Sequence, residues 1–137
     1  MAVRRFPFIS FDAGGPMRPL VPFDFPKGKN VYCLVDSGAS ASLMSASFMR
    51  HEEMEYERTF SECYSEGICG NECLQILGIT KPAEIRIVGL PKAIRLGFTV
   101  VPDRYKVNTP IFGQNLFEHM NVGFGKEGEK LFAIIKE

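Results

Sequence analysis

The sequence contains one acidic side chain in a setting that suits acid–base chemistry. Asp36 follows the apolar run Val31–Val35 and opens the turn Asp36-Ser37-Gly38-Ala39. A carboxylate at the end of a buried strand loses hydration, which disfavours its charged form, so it requires a partner or a function. Acting as a general acid or base is one such function. The alternative is a turn aspartate that accepts hydrogen bonds from nearby backbone amides.

The cysteines and histidines do not form a metal-binding pattern. Cys63, Cys69 and Cys73 lack the Cys-x-x-Cys spacing of a zinc site, and His51 and His119 complete no ligand set. We therefore expect no metal and no organic cofactor. The thiols are expected to be reduced and structural.

The overall charge and hydropathy exclude several classes of partner. Lys plus Arg and Asp plus Glu both number 16, so the formal net charge is zero and a nucleic-acid partner is not expected. No segment reaches the roughly 18 apolar residues that span a bilayer, and the first residues lack the apolar stretch of a signal peptide. These features predict a cytoplasmic protein, or one inside virus-like particles, with no membrane partner.

The elements that must position Asp36 are mostly strands. Val31–Val35 is predicted to be a strand covered on both faces, because its apolar run is nearly continuous. Ser45 is expected to cap a helix through Ala46–Arg50, or on to Tyr56. The other predictions are an edge strand at Arg18–Val21, a hairpin over Phe60–Leu77 with the tip Gly67-Ile68-Cys69-Gly70, strands at Ile85–Val88 and Ala93–Val101, a helix of about two turns over Gln114–Met120, and a last strand at Lys130–Ile135.

Four segments in this order resemble the retropepsins, the aspartic proteases of retroviruses and retrotransposons. Leu34–Ala39 is similar to their active-site strand and turn, and Gly67–Gly70 to the tip of their mobile flap. Ile111–Leu116 is similar to the segment that passes beneath the active-site loop, and Arg18–Val21 to the N-terminal part of lentiviral proteases. The resemblance covers about residues 17 to 124.

The resemblance implies an all-β fold with two short helices, an acid-protease-like closed barrel with one lobe per chain, and a two-fold homodimer. Residues 17–137 would form the protease domain, and residues 1–16 an extended arm or polyprotein junction. The family mechanism needs two carboxylates facing one water. Asp12, Asp24 and Asp103 lack the required turn, so Asp36 of a second copy would supply the other carboxylate. We also expect the chain termini, including Lys130–Ile135, to interleave at the dimer interface.

The resemblance also implies roles for individual residues. Asp36 would be general base and general acid, with Ser37 and Gly38 fixing its turn. The residues expected to contact substrate are Ala39 and Ser40 beside the turn, Glu66, Gly67, Ile68, Cys69 and Gly70 in the flap, and Leu43, Thr109 and Ile111 in the side-chain pockets. For the pocket residues, plain core packing is the alternative.

The chain departs from the family pattern in ways that bear on these roles. Family members often carry an acid shortly after the catalytic triplet and an arginine after the later glycine, which pair; here these positions are Ser40 and Gln114. Arg18 correspondingly lacks its usual acidic partner. Cys69 stands where the flap often has glycine, so oxidation there could regulate the flap. If Gly67 faces Gly70, then Cys63 faces Leu74, and Cys63 and Cys73 lie on opposite faces and do not bridge.

Three interpretations of function remain. The first is an endopeptidase that processes a retroelement or retroviral polyprotein; Phe6-Pro7 and Phe25-Pro26 resemble the bonds that such proteases cut. The second is a cellular retropepsin-like domain of the DNA-damage-inducible type. The third is a catalytically silent dimeric module that binds peptides.

Overall fold

The computed structural model of the chain describes residues 2–59, 63–64 and 74–137. Strands dominate, as predicted, and two short helices accompany them. In chain order the strands are β1 (Val3–Pro7), β2 (Leu20–Asp24), β3 (Val31–Val35), β4 (Leu43–Ser45), β5 (Tyr56–Arg58), β6 (Cys63–Tyr64), β7 (Leu74–Gln75), β8 (Gly78–Thr80), β9 (Ala83–Ile87), β10 (Ala93–Leu96), β11 (Thr99–Val101), β12 (Ile111–Phe112), β13 (Asn121–Glu127) and β14 (Lys130–Lys136), and the helices are α1 (Ala46–His51) and α2 (Gln114–Phe117).

A nine-stranded curled sheet carries the predicted active-site turn. Its strand order is β10-β9-β2-β3-β12-β4-β11-β8-β5, so β12 lies between β3 and β4. β12 runs parallel to β3 and antiparallel to β4. The chain segment that joins β3 to β4, which contains Asp36, therefore passes around the end of β12.

An aromatic cluster supports the sheet beneath this turn. Phe23, Phe25, Phe98 and Phe112 are fully buried, and the rings of Phe23 and Phe112 stack with their centroids 4.0 Å apart. Each such ring removes a large apolar area from water, and stacked pairs add to that stabilisation. The buried Phe112 side chain thus anchors β12 to the core.

The β3 strand matches its predicted bounds but is covered on one face only. Cys33 and Val35 are buried, whereas Tyr32 is 48% exposed and Leu34 is half-buried. Burial raises the pKa of the Cys33 thiol, which therefore stays protonated and packs as an apolar group. The face that carries Leu34 is open because it borders a cleft, so the prediction of two covered faces was wrong.

The segment predicted as an edge strand lies inside the sheet. β2 begins at Leu20 and pairs with both β3 and β9. Pro22 is tolerated there because its carbonyl, which accepts from the amide of Val88 at 3.0 Å, faces the β9 side. The paired register with β9 starts at Phe23, which puts Pro22 opposite Val88 at the end of the ladder, so the missing proline donor costs only a terminal bond.

Helix α1 begins where the capping signal predicted. The Ser45 hydroxyl accepts from the amide of Phe48 at 3.1 Å, and the helix ends at His51, close to the shorter predicted end. Helix α2 spans only Gln114–Phe117, so the two predicted turns shrink to one. The predicted strand Ala93–Val101 is also two strands, because β10 pairs with β9 whereas β11 pairs with β4 and β8.

The chain termini form a second sheet of three strands, in the order β1-β14-β13. The predicted last strand is present as β14, and strands of the same chain occupy both of its edges. Phe6 of β1 and Ala133 and Ile135 of β14 belong to the main hydrophobic core. Within the described chain β14 therefore has no free edge to interleave with a second copy, and residues 3–7 are extended but packed rather than a separate arm.

Candidate active site

The Asp36 side chain sits at the apex of the turn that follows β3. The amide of Asp36 donates to the carbonyl of Phe112 at 2.9 Å, and the Asp36 carbonyl accepts from the amide of Ala39 at 3.2 Å. The amide of Gly38 donates to Asp36 Oδ1 at 2.9 Å. Among the described residues the second carboxylate oxygen has no hydrogen-bond partner. The turn therefore orients the carboxylate through one oxygen and leaves the other for chemistry.

Asp36 is exposed in the single chain, together with Ser37 and Gly38. The position of Asp36 after an apolar strand predicted that the carboxylate would lose hydration. Its own chain does not bury the carboxylate in this way. Either the carboxylate is an ordinary solvated turn residue, or another molecule covers it. A second copy docked on this turn would bury the carboxylate and place a like charge beside it.

β12 and the residue after it hold both sides of the turn. Gly113 lies between two backbone carbonyls: a Cβ at this position would lie 2.5 Å from the Ala41 oxygen and 2.6 Å from the Ala39 oxygen. The amide of Gln114 donates to the same Ala39 oxygen at 2.9 Å. Only glycine lets the chain pass this close to the turn.

Gln114 takes a bracing role at the position where the family often has arginine. Its side-chain Nε2 donates to the Ser37 carbonyl at 2.5 Å. A neutral amide thus ties helix α2 to the turn at Asp36 without needing an acid at Ser40, which is exposed. The sequence predicted that the acid and the arginine that often pair in the family are both absent here. A neutral hydrogen bond from Gln114 takes the place of that ion pair.

A buried polar group that the sequence analysis missed supports the same junction. Ser42 is 1% exposed, its Oγ accepts from the amide of Gly113 at 3.0 Å, and it also contacts Asn115 Oδ1. Asn115 Nδ2 in turn donates to the carbonyl of Gly97 at 3.0 Å. Ser42 lies in a run of small residues with no periodicity, so no local signal distinguished it from a solvent-exposed turn serine.

Two of the three predicted pocket residues line a cavity on the Asp36 side of β3. The cavity measures about 310 Å³ and is lined by Phe11, Arg18, Leu34, Lys106, Val107, Asn108, Thr109 and Ile111. Leu34 lies on β3 two residues before Asp36, so the cavity borders the strand that leads into the Asp36 turn. Ile111 pairs with Leu34 across the ladder.

Thr109 and Leu43 differ in what surrounds them. Thr109 Oγ1 donates to the carbonyl of Tyr32 at 2.5 Å, which fixes it at the cavity wall. Leu43 is buried and packs with Val101 and Val107 instead of lining the cavity. For Leu43 the single chain supports the core-packing alternative.

The predicted flap tip lies outside the described residues. Its predicted members are Glu66, Gly67, Ile68, Cys69 and Gly70. The base of the hairpin is described: β6 and β7 pair antiparallel, with Cys63 opposite Gln75 and Tyr64 opposite Leu74. This register is shifted by one residue from the predicted pairing of Cys63 with Leu74. The prediction that Cys63 and Cys73 lie on opposite faces depended on that pairing, so it no longer excludes a disulfide between them. Cys73 itself lies outside the described residues.

The hairpin base is tied to the short helical turn Asp103–Tyr105. The amide of Gln75 donates to the Tyr105 hydroxyl at 2.9 Å, and Arg104 contacts Gln75 Oε1. The turn itself is anchored to helix α1, since Asp103 accepts from the amide of Ser47 at 2.9 Å. The base of the predicted flap is thus connected to the wall that also carries Lys106.

Two further findings concern cofactors and membranes. Within residues 2–59, 63–64 and 74–137, His, Cys, Asp and Glu side chains form no group of three or more that could hold a metal ion. In the same part of the chain, no helix combines the length and the apolar character needed to cross a bilayer.

Comparison with known proteins gives structural but not sequence matches. No family model matches the chain, and no curated protein matches it. Solved structures do match it, among them three with protease or protease-like descriptions. The retroviral protease-like domain of Ddi1 from Leishmania major has a TM-score of 0.54 and 19% identity, over 77% of this chain and 79% of that one.

The other two structures are proteases by their descriptions. The EIAV protease complexed with the inhibitor HBY-793 has a TM-score of 0.53 and 16% identity, over 81% of this chain and 93% of that one. A retropepsin-like aspartic protease from Rickettsia conorii has a TM-score of 0.54 and 14% identity, over 99% of this chain and 95% of that one. The chain therefore has a retropepsin-like fold, as the four sequence segments predicted.

Proposed function

We propose that this chain is an aspartic endopeptidase that acts as a homodimer, with the Asp36 carboxylates of two copies facing one water. The observation that carries the proposal is the setting of Asp36. Its carboxylate is exposed at the apex of a turn in a retropepsin-like fold. Two main-chain hydrogen bonds hold this turn in place: the Asp36 amide donates to the Phe112 carbonyl, and the Gln114 amide donates to the Ala39 carbonyl.

The chemistry follows from two carboxylates that share one proton. Two carboxyl groups about 3 Å apart cannot both ionise, so one carboxylate is charged and the other is protonated. The charged one takes a proton from the water, whose oxygen bonds to the scissile carbonyl carbon, while the protonated one donates to the carbonyl oxygen. Collapse of the tetrahedral intermediate breaks the C–N bond, and the leaving nitrogen takes up a proton. One Asp36 cannot hold both protonation states at once, which is why a second copy is needed.

The substrate class that suits the cleft is an extended polypeptide, and the polyprotein of a retroelement or retrovirus is the proposed natural source. Cleavage within the folded chain at Phe6-Pro7 or Phe25-Pro26 has no structural support, because both phenylalanines are buried. A cellular domain of the kind found in Ddi1, to whose protease-like domain the chain is similar, would use the same residues on a different substrate.

Cleavage of an unstructured polypeptide tests the activity. We expect the chain to cut such a substrate at pH 5 or pH 7, Asp36→Asn to abolish cutting, and a statine-type transition-state mimic to inhibit it. Asp12→Asn is the matched control, since Asp12 is exposed and outside the turn, and it should cut like the unmodified chain. Equal cleavage by the Asp36→Asn variant would exclude Asp36 as the catalytic group, and no cleavage by any form would leave the silent peptide-binding module.

Mixing experiments test the dimer. Refolding a fixed amount of unmodified chain with excess Asp36→Asn chain converts homodimers into heterodimers that carry one aspartate. We expect activity to fall as the excess rises, whereas excess Asp12→Asn should not lower it. Activity that stays proportional to the unmodified chain alone would show that one Asp36 is enough.

A further inference from the structure

The cavity beside Asp36 is basic. Its lining includes the side chains of Arg18 and Lys106 and no acidic side chain. Leu34, Val107 and Ile111 give the same cavity an apolar floor. A site with this composition accepts an aliphatic stem that ends in a negative charge.

The described part of the chain does not neutralise these two cations. Neither Arg18 nor Lys106 takes part in a described ion pair. The described acid in the chain turn before Lys106 is Asp103, which is engaged by the Ser47 amide at 2.9 Å and by Arg50 at 3.3 Å. Within the described residues, no acid therefore pairs with either cation.

Apart from Asp36 itself, the turn of a second copy would bring no acid to these cations. Residues 37–42 read Ser-Gly-Ala-Ser-Ala-Ser and contain no charged side chain. The acid that completes the cavity must then come from the substrate or from the predicted flap, which contains Glu66.

Lys106 is also held in an uncommon backbone conformation. Its φ is +55°, in the left-handed region, and its amide donates to the carbonyl of Asp103 at 3.0 Å. Residues other than glycine seldom adopt this region, and asparagine is the usual alternative. The left-handed residue ends the short helical turn, which fixes the backbone of Lys106 directly after Asp103–Tyr105.

We propose that this cavity is an acid-selective subsite, in which Arg18 and Lys106 bind a glutamate or aspartate side chain of the substrate polypeptide. The inference rests on the proposed function for the location of the peptide, and it adds a substrate preference that the fold does not specify. The two cations act as specificity-determining residues. Neither takes part in the proton transfers.

Peptide binding to the Asp36→Asn chain tests the preference without requiring cleavage. The probes are fluorescein-labelled decapeptides centred on a Phe-Pro bond, in which each flanking position in turn carries Glu, Gln or Lys. We expect one position at which Glu binds about tenfold more tightly than Gln, the ratio that about 1.4 kcal/mol corresponds to, with Lys weaker than Gln. The preference should weaken as salt is added, because it is electrostatic.

Variants assign the effect to the cavity. Arg18→Gln and Lys106→Gln in the same background should each bring the Glu-to-Gln ratio close to one, and the control Lys126→Gln, an exposed lysine on β13, should retain it. A ratio near one at every position, a ratio that persists in both cavity variants, or no binding at millimolar peptide would each overturn the proposal. A preference in binding together with no cleavage by the unmodified chain would instead refute the endopeptidase.

Discussion

Gly113 gives the sharpest test of how the turn at Asp36 is held. Replacing it with alanine would place a Cβ 2.5 and 2.6 Å from the carbonyl oxygens of Ala41 and Ala39. Both atoms belong to the backbone of the turn, so no flexible side chain can move aside. The turn and β12 must separate, which also lengthens the hydrogen bond from the Gln114 amide to Ala39.

The expected cost lies at the upper end of that for overpacking a core, about 3 kcal/mol. In a chain of this size, that loss corresponds to a melting temperature lower by roughly 10 °C. Catalysis should fall further than stability, because a shift of the turn by about 1 Å misplaces Asp36 and can cost on the order of a hundredfold in rate.

Urea unfolding and peptide cleavage measure the two effects. The matched control is Gly123→Ala, because a Cβ at Gly123 would meet nothing within 4 Å. The control should remain within about 0.5 kcal/mol of the unmodified chain. If Gly113→Ala were as stable and as active as Gly123→Ala, the inference that the chain passes too close to the turn for any side chain at position 113 would be wrong.

Two further predictions concern buried and paired carboxylates. The Glu52 side chain is fully buried and accepts from the two amides of residues 27–28 at 3.0 and 2.7 Å. Glu52→Ala should therefore lower the free energy of unfolding, measured in urea, by about 2 to 4 kcal/mol, and Glu52→Gln should lower it less. Equal stability of all three forms would contradict this. The amide of Ser47, more than the nearby Arg50, holds the pKa of Asp103 below its usual range. That carboxylate stabilises the fold above the unfolded pKa of about 3.9, and the stabilisation is lost as pH falls through the lower folded pKa. Asp103→Asn should therefore melt at a lower temperature at pH 7, with the difference from the unmodified chain closing as the pH falls through the folded pKa; a constant difference would contradict the linkage.

Local chemistry explains which elements could be predicted from the sequence. The Ser45 hydroxyl caps its helix through a contact three residues away, and the run Val31–Val35 needs only its own β-branched and apolar residues to form a strand. The turn at Asp36 was likewise visible, because glycine and small residues follow the acid. These features depend on neighbours in the chain, so they do not require knowledge of the topology.

The elements that were mispredicted depend on distant partners. Ala93–Leu96 and Thr99–Val101 looked continuous, but they pair with different strands, and the break follows from that pairing alone. β13 was missed because Gly123 and Gly125 weaken its strand signal, and its partner β14 stabilises it. Ser42 and the basic cavity were invisible for the same reason, since each is assembled from segments far apart in sequence.

The structure changes where a dimer contact should be sought. Since β1 and β13 already occupy both edges of β14, a second copy can add to the three-stranded sheet only along an outer edge or by displacing one of these strands. Removing residues 126–137 would delete Ala133 and Ile135 from the core, so loss of the dimer in such a variant would report unfolding as readily as a lost interface. The exposed turn at Asp36 has no such ambiguity, because its side chain contributes nothing to the core. Association that depends on this turn while the melting temperature stays constant would connect the dimer to the chemistry directly.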